Sequence, residues 1–455
     1  MARGRTLDMT QGRILPVMLQ YMVPMMLGSL FQNLYNLVDM TIAGYAIGDH
    51  ALAAISATTA LVTLINATAM GFNTGNSILM AQAFGAGDWA RTRRNFAGVV
   101  ELCLTLVVLA TTGLLLLIDP LLRLIQTPTE LIADAKSYVV ILIGGLCATM
   151  LYNMLAGAFR ALGNSRVPLL FLICSSILNV ALDLLFIVPL NMGVRGAALA
   201  TVIAQGISAV LSGIYLYINY PQLRLRRDDF CRNGGLLKAM LPMGLSAALT
   251  NSLFAIGDIA IQGALNSLGQ EAIIAQASAR KITSFCIIPS IGVANTCTTF
   301  AAQNYGAGQL KRITQGIKVA NLFSLCCNVV TYLLAFFFGG TIIQLITNTD
   351  SAAVIRDGVL MLRIVVPFII TQTIVMTFRM SIQSMNRKLI PIIGTGIELL
   401  TRCFCALVLA PSIGFLGICF AEPLSWVVSG AAMVICYVYV LRQELQSREE
   451  PSEAA

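Results

Sequence analysis

Four polar side chains interrupt long apolar stretches in the N-terminal half of this chain, and their oxygens could bind a cation or a proton. They are Asp39, Asn179, Asp183 and Thr201. Asn179 lies one helical turn before Asp183, so both side chains share one face of a helix. Carboxylate, amide and hydroxyl oxygens from three helices suit a hard cation. The same residues could instead only hydrogen-bond helices to one another, and their types alone leave both interpretations open.

Acids and bases are mixed in the apolar stretches of the C-terminal half. These residues are Asp258, Arg280, Lys281, Arg363, Arg379, Glu398, Arg402 and Glu422. Because unpaired charges are costly inside a membrane, we expect internal ion pairs, in which loss of one partner destabilises more than the pair stabilises. The predicted network contains Asp258, Lys281, Arg379, Glu398, Arg402 and Glu422. It is either structural or a substrate or ion site, with Asp258 and Glu398 as the leading acids.

The composition places these residues in a membrane protein. Charged residues make up 11% of the 455 residues and hydrophobic ones 57%, and the mean hydropathy is +0.81. Soluble domains average about 25% and 45–50% respectively. We predict an all-α polytopic fold of twelve transmembrane helices, because each apolar run is long enough to cross a bilayer. The predicted spans are 14–46, 52–84, 92–118, 130–159, 167–189, 193–219, 239–265, 270–303, 312–338, 351–384, 390–411 and 415–441.

An internal repeat divides the twelve spans into two lobes of six. Four landmarks recur in the same order in the second half: AQAFGAG at 81–87 as AQNYGAG at 302–308, Asp39 as Asp258, Pro168 as Pro391, and Gly193 as Gly414. Six spans return the chain to its starting side, so the lobes should form a parallel repeat, a plan typical of secondary transporters. We predict lobes at 1–219 and 239–442, a cytoplasmic linker at 220–238 and a cytoplasmic tail at 443–455.

The distribution of basic residues predicts the orientation. Twenty Lys and Arg residues fall on the side of the N-terminus, and only Arg123, Lys136, Arg195 and Arg356 fall on the other side. This bias places both termini in the cytoplasm, with the chain in the plasma membrane. The net charge of +8 then reflects topology, and we expect no nucleic-acid partner. No short apolar region with a cleavage site follows the first arginines, so we expect no removable signal peptide.

Cysteine and histidine predict no further chemistry. Of twelve cysteines, all except Cys231 lie inside apolar spans, and no CxxC or Cys/His spacing occurs. Small-residue packing accounts for them. The single histidine, His50, falls in a predicted outer loop, which excludes His-based metal sites and catalytic triads. We therefore expect neither an enzyme nor an organic cofactor.

The chain resembles the multidrug and toxic compound extrusion (MATE) family, and most closely its prokaryotic branch with an ion site in the N-terminal lobe. The resemblance spans essentially all twelve helices. It rests on the repeated AQ-x-x-GAG turn, on GNSRVP at 163–168, and on LVDMTIAG at 37–44.

The resemblance implies roles for particular residues. Members of that branch bind sodium or a proton through positions that match Asp39, Asn179, Asp183 and Thr201, with a tyrosine that matches Tyr35 and a helix-bending proline that matches Pro24. Other branches place carboxylates in the seventh and tenth spans. The tenth span here has no acid beyond Asp357 near its start, so that second scheme does not fit this chain.

The implied activity is secondary antiport: sodium ions or protons enter as an organic, often cationic, compound leaves. We expect the partners to be small molecules and lipid, and the transporter to be a monomer. Two alternatives stay open. One is a related flippase for lipid-linked precursors, against which the span number and the lack of a strongly basic cavity argue. The other is a channel, which the two-lobe duplication does not by itself exclude. The substrate, and the choice between sodium and proton, do not follow from the sequence.

The orientation can be tested by impermeant labels. Probes attached at Lys311 or within 224–232 should react only from the cytoplasmic side, and probes near His50 only from outside, because the basic residues are retained in the cytoplasm. Reaction of intact cells with a probe in the linker would overturn the predicted orientation.

Overall fold

The structure, a computed structural model, describes residues 6–47, 49–124, 127–230, 234–347 and 351–449. This part of the chain is helical and contains no strand. The helices are α1 (Ile14–Ile47), α2 (Asp49–Gly85), α3 (Trp89–Leu124), α4 (Ile132–Gly144), α5 (Leu146–Ala161), α6 (Arg166–Ile187), α7 (Gly193–Asn219), α8 (Arg227–Phe230), α9 (Gly234–Asn266), α10 (Gln270–Cys286), α11 (Ile288–Gly306), α12 (Leu310–Thr347), α13 (Ala352–Val365), α14 (Ile369–Ser384), α15 (Leu389–Phe404), α16 (Ala410–Ile413) and α17 (Phe415–Glu449). A π-helical turn at Cys405–Leu409 joins α15 to α16, and 3₁₀ turns occupy Pro221–Leu223 and Val366–Phe368.

The described helices provide nine segments long and apolar enough to cross a membrane, or up to twelve when each bent pair forms one span. The bends lie within α2 (44°), between α4 and α5 (47°) and between α10 and α11 (46°). With the bent pairs joined, the segments correspond to the twelve predicted spans. The prediction of an all-α polytopic fold is confirmed.

The repeated heptapeptide forms the same helix-ending turn twice. Gly87 follows α2 with φ of +73°, and Gly308 follows α11 with φ of +76°. The Gly87 amide donates to the Phe84 carbonyl (2.9 Å), and the Gly308 amide donates to the Tyr305 carbonyl (3.1 Å). Glycine enters this left-handed conformation without a Cβ clash, which explains why both copies keep it.

Two further landmarks of the repeat also match in backbone conformation. Left-handed residues stand at Gly163 (φ +77°) and Asn386 (+63°), and at Gly193 (+55°) and Gly414 (+65°). The repeated prolines, Pro168 and Pro391, each occupy the first turn of a helix, where the missing amide hydrogen has no intrahelical partner. The second half therefore reproduces the local structure of the first at these three landmarks.

The helices form two compact units. Unit 1 contains the residues up to Asp8 and Leu27–Ala248, and unit 2 contains Met9–Met26 and the residues from Leu249 onward. The first part of α1 is thus grouped with the C-terminal helices, and the first part of α9 with the N-terminal helices. The predicted lobes follow chain order and do not include this exchange.

Specific contacts hold the exchanged segment in unit 2. The Met9 amide donates to Gln303 Oε1 (2.9 Å), and the Tyr21 hydroxyl lies 3.0 Å from Thr299 Oγ1. Both Met9 and Tyr21 are almost completely buried. A Cβ placed on Gly292 of α11 would overlap the Met26 side chain, so only glycine allows this approach.

Two glycines of unit 1 allow an equally close contact between helices α2 and α9. A Cβ on Gly71 of α2 would lie 2.7 Å from the backbone nitrogen of Ala248, and one on Gly75 would lie 2.8 Å from the Met243 carbonyl. Real Cβ contacts are not this short, so the backbones of α2 and α9 can meet here only because both positions are glycine.

The predicted linker is partly folded and attached to unit 1. Asp229 of α8 is 4% exposed. Its carboxylate forms an ion pair with Arg93 Nε (2.8 Å) and accepts a hydrogen bond from the Arg226 amide (2.8 Å). Burial raises the pKa of the Asp229 carboxyl, but these hydrogen bonds outweigh burial and hold the pKa below its ordinary value. The contact is therefore complete near neutral pH and weakens as the pH falls through that lowered pKa.

The structure changes two other predictions, and a third concerns residues outside the described ranges. The last helix continues to Glu449, so residues 443–449 of the predicted tail are helical, and Glu444 accepts from Arg387 (3.1 Å). His50, expected in a loop, is the second residue of α2. Cys231 and residues 450–455 lie outside the described residues.

Alanine at the two repeated turns should have equal and unfavourable effects. Gly87→Ala and Gly308→Ala each place a Cβ in the left-handed region, at a cost of roughly 1–2 kcal/mol. Thermal unfolding in detergent should show similar losses for both. Gly113→Ala is the matched control, since Gly113 is helical and has open space around it. Unequal losses, or a similar loss at Gly113, would contradict the structural equivalence of the turns.

Candidate functional site

A polar site in unit 1 is built from α1, α4, α6 and α7. The start of α6 is fixed by Asn164, whose side-chain oxygen accepts from the Val167 amide (3.1 Å). The helix then carries Asn179 and Asp183 on one face, and both are buried, with 2% and 1% exposure. The predicted pairing of these two residues on one helical face is present in the structure.

Two other helices supply the remaining predicted residues. Tyr35 and Asp39 lie one turn apart on α1, which continues without interruption past Pro24. Thr201 lies in the third turn of α7 and donates its hydroxyl hydrogen to the Ala197 carbonyl (3.1 Å). That bond leaves the oxygen lone pairs of Thr201 available to accept.

Asn179 connects the site residues. With its amide orientation assigned from the hydrogen-bond network, its nitrogen donates to Asp183 Oδ2 (3.0 Å) and to the Tyr35 hydroxyl (2.8 Å). Its oxygen accepts from the Thr201 backbone amide (3.0 Å). One amide group thus connects a carboxylate, a phenol and a neighbouring helix. Both hydrogens of its nitrogen are used as donors.

The two carboxyl groups are adjacent. Asp39 and Asp183 lie within hydrogen-bonding reach of each other, one from α1 and the other from α6. Asp183 Oδ1 is buried and receives no hydrogen bond from the described residues. Two ionised carboxylates at this range repel each other strongly where water is excluded. A proton on one carboxyl group, or a cation beside both, relieves this repulsion.

A second tyrosine lies near the pair and was not identified from the sequence. Tyr138 of α4 lies within electrostatic range of both Asp39 and Asp183. The break after α4 occurs at Gly145, where a Cβ would overlap Val202 of α7. Tyrosines are common near membrane interfaces, so the sequence offered no signal that separates Tyr138 from the others.

The site contains two carboxylates and otherwise neutral oxygens. Within the described ranges, no group of three or more His, Cys, Asp or Glu side chains is positioned to hold a metal ion. Hydroxyl, amide and carboxylate oxygens are hard ligands. With this ligand set the site suits a proton or a small hard cation of low charge.

The mixed charges of the C-terminal half form a cluster within unit 2. Asp258 Oδ1 lies 2.8 Å from Arg280 Nη2 and 2.8 Å from Arg402 Nη1. Glu422 lies 3.3 Å from the same Arg280 nitrogen. The guanidinium carbon of Arg402 lies 5.6 Å from the centre of the Phe254 ring, within the range of a cation–π contact. These four charged residues, with Phe254, are called the Asp258 cluster below.

Arg280 belongs to this cluster, and the predicted member Lys281 does not. Arg280 shares its helical face with Gln276 and Thr283, which are buried, whereas Lys281 is exposed and shares its face with exposed Ser284. In the part of the chain that the structure describes, no ion pair includes Lys281. The burial pattern of the neighbours could have distinguished the two adjacent bases.

A second ion pair lies deeper in unit 2. Arg379 Nη1 is 3.3 Å from Glu398 Oε1, and the two side chains are 3% and 2% exposed. Ser429 donates to the same carboxylate oxygen (3.1 Å), and Arg379 also donates to Thr395 (3.2 Å). The guanidinium carbon of Arg379 also lies 4.9 Å from the centre of the Phe254 ring, so this pair adjoins the Asp258 cluster. A buried pair of this kind is typical of a structural connection among helices.

An apolar cavity of about 540 Å³ lies within unit 1, between α2, α3 and α5. Its lining includes Ile65, Phe72, Leu109 and Met150, and Thr68 is the only polar side chain among the described residues that line it. None of the polar-site residues contributes to it. The cavity suits an aromatic ring or an aliphatic chain, without a charge.

The two-fold organisation is also found in comparison with known proteins. A sequence model of the MatE family matches this chain over residues 24–185 and again over 246–408. The chain belongs to the MatE family. This is the multidrug efflux transporter family that the motifs had indicated. The two matches of the MatE model begin in α1 and in α9, so the family pattern repeats with the two halves of the transporter.

Individual relatives match this chain over most of its length. The probable multidrug resistance protein YpnP of Bacillus subtilis is 27% identical over 350 residues, which cover 76% of this chain and 78% of that protein. The FAD transporter of Shewanella oneidensis is 27% identical over 325 residues, covering 67% and 71%. A crystal structure of MATE in complex with MaL6 is 23% identical, covers 97% of this chain and 99% of its own, and has a TM-score of 0.91. The last likeness shows the twelve-helix, two-lobe fold.

The buried Arg379–Glu398 pair should behave as a unit. Arg379→Met or Glu398→Leu alone leaves an uncompensated buried charge and should destabilise by about 3–5 kcal/mol, whereas the double variant should be less affected than either single variant. Thermal unfolding of the purified variants measures the difference. Removing Lys136 and Asp119, a pair that is 43% and 56% exposed, is the control and should cost about 1 kcal/mol or less. Additive losses at Arg379 and Glu398 would contradict the pairing.

Proposed function

We propose that this MATE transporter is a cation-coupled antiporter that exports organic, often cationic, compounds in exchange for sodium ions or protons. The observation that carries the proposal is the Asp39–Asp183 pair, whose two carboxyl groups are adjacent and whose Asp183 Oδ1 receives no hydrogen bond from the described chain. A site of this kind exchanges one positive charge for another at little structural cost. The coupling cation is cargo, and no organic cofactor is required.

The cation site uses five predicted residues and one found in the structure. Asp39 and Asp183 supply the charge, Asn179 and Thr201 connect the helices, and Tyr35 and Tyr138 lie within electrostatic range of both carboxylates. A proton and a sodium ion compete for the same oxygens, since either one relieves the repulsion. Raising the proton concentration should therefore weaken sodium binding.

Helix α1 is the element that can respond to the bound cation. Pro24 cannot donate an amide hydrogen to the carbonyl four residues earlier, so α1 lacks one internal hydrogen bond at that point. Asp39 lies fifteen residues later on the same helix. When its charge is cancelled, the favoured arrangement of α1 changes, and Pro24 acts as the hinge. Cation binding thereby shifts the population between two access states, as alternating access requires.

The names of the relatives support an organic substrate, and the apolar cavity suits the uncharged part of such a compound. The relative in Bacillus subtilis is named as a probable multidrug resistance protein, which favours varied organic compounds. The cavity of about 540 Å³ accommodates an apolar ring system. A dinucleotide such as FAD is the second candidate, because the Shewanella relative is named as its transporter. We further propose a monomer in the plasma membrane with both termini in the cytoplasm.

Transport against a gradient separates antiport from the alternatives. Purified transporter in vesicles should accumulate a cationic dye when an outward sodium or proton gradient is imposed across the membrane. A channel lets the dye only equilibrate, and a lipid flippase leaves it in place. Substituting FAD for the dye tests the second substrate class in the same assay.

The acidic pair should be required for coupling. Asp39→Asn and Asp183→Asn keep the side-chain shape but remove the charge, so each variant should insert normally and lose gradient-driven accumulation. Vesicle uptake and yield of monodisperse protein measure the two properties. Asp119→Asn is the matched control, since Asp119 is exposed and pairs only with Lys136 among the described ion pairs. Full coupling in both Asp39→Asn and Asp183→Asn would place the coupling site elsewhere.

A further inference from the structure

Positions of the unit 1 cation site have counterparts in unit 2 at equal distances from the repeated landmarks. Four residues before Asp39 and Asp258 stand Tyr35 and Phe254; eleven after Pro168 and Pro391 stand Asn179 and Arg402; eight after Gly193 and Gly414 stand Thr201 and Glu422. The correspondence follows from the sequence once the landmarks are shown to be structurally equivalent, as their left-handed turns and first-turn prolines are.

These counterparts also meet in space. Asp258 contacts Arg402 at 2.8 Å, Arg402 lies over the Phe254 ring, and Glu422 joins the same cluster through Arg280 at 3.3 Å. Helices α9, α15 and α17 of unit 2 thus bring together the positions that α1, α6 and α7 bring together in unit 1. The Asp258 cluster is the repeat-related copy of the cation site.

The difference between the copies is the source of positive charge. In unit 1, Asp39 faces a second carboxylate and the neutral amide of Asn179, with no basic side chain among the partners described above. In unit 2, the position of Asn179 is Arg402, and the position of Asp183, fifteen residues after the proline, is Ala406. The carboxylate of Asp183 is absent from unit 2, but Glu422 supplies another at the position of Thr201, and a guanidinium replaces the amide of Asn179.

Two arginines therefore balance two acids in the Asp258 cluster. Asp258 is held by both Arg280 and Arg402, and Glu422 by Arg280. The position of Arg280, twenty-eight residues before Gly308, corresponds to Thr59, twenty-eight before Gly87. A guanidinium stays charged at all accessible pH values and cannot dissociate from the chain.

We propose that unit 2 contains a second cation site in which the guanidinium groups of Arg402 and Arg280 replace the exchangeable cation. Unit 2 then binds no coupling ion, and each transport cycle uses unit 1 alone. The inference rests on the proposed cation site in unit 1. It assigns to Arg402 and Arg280 the role of built-in counter-ions at Asp258.

Removal of the built-in cations should create a sodium site. In an Asp39→Asn background, which disables unit 1, Arg280→Thr and Arg402→Asn restore the residue types found at the unit 1 counterparts. The purified triple variant should bind one ²²Na⁺ per protein and show a melting temperature that rises with sodium but not with choline, because a ligand that binds only the folded state stabilises it. The Asp39→Asn parent should show neither property.

Neighbouring substitutions control for general effects of charge. Lys281→Thr removes the adjacent cation, which lies outside the cluster, and should create no sodium binding in the same background. Arg402→Lys, used in place of Arg402→Asn, keeps a cation at Asp258 and should create no sodium binding either. Sodium binding by the Lys281→Thr variant equal to that of the arginine variant would overturn the proposal, as would a folded, monodisperse arginine variant that binds no sodium.

A charge-neutral variant decides the question if the arginine variant does not fold. Asp258→Asn with Arg402→Asn removes one acid and one base, so the sodium binding of the otherwise wild-type protein should remain at one ion per protein. Loss of that binding would mean that Asp258 holds the coupling ion, and the proposal would be wrong. The two proposals fail separately: a wild type whose dye uptake responds to neither a sodium gradient nor a proton gradient refutes the unit 1 site, while gain of sodium binding in the arginine variant still supports the unit 2 inference.

Discussion

Two carboxyl groups that cannot both remain bare and ionised are the constraint on which this transporter depends. Asp39 and Asp183 come from helices far apart in the sequence, and packing brings them together where Asp183 is almost fully buried. The favourable energy of folding must hold them there against their repulsion. Asn179 contributes by connecting α6 to Tyr35 and to the backbone of α7. In the proposed function, the remaining repulsion makes the site responsive to a cation.

Duplication supplied the same scaffold twice, and divergence gave the copies different electrostatics. The backbone landmarks are conserved between the halves as left-handed turns and first-turn prolines, because these positions determine where helices begin and end. Side chains inside the helices were free to change. In one half the acids face each other, and in the other half they face arginines. The asymmetry follows from a few substitutions on an unchanged frame.

Much of this could be predicted from the sequence, because the membrane restricts what a chain can do. Long apolar runs predicted the spans, and the rare acids within them identified Asp39 and Asp183. The bends between α4 and α5 and between α10 and α11 were not predicted, since hydrophobicity does not record the direction of a helix axis. Arg280 was confused with Lys281 because adjacent residues differ only in helical phase. Tyr138 and the docked Asp229 carried no distinguishing pattern.

The exchange of helix ends between the units has a consequence for how the chain is made. Met9–Met26 leaves the ribosome early, yet its packing partners Gln303, Thr299 and Gly292 belong to helices synthesised much later. The contacts of Met9 and Tyr21 with α11 can therefore form only after α11 has been synthesised. The packing of this early segment is thus completed only by helices that come late in the chain.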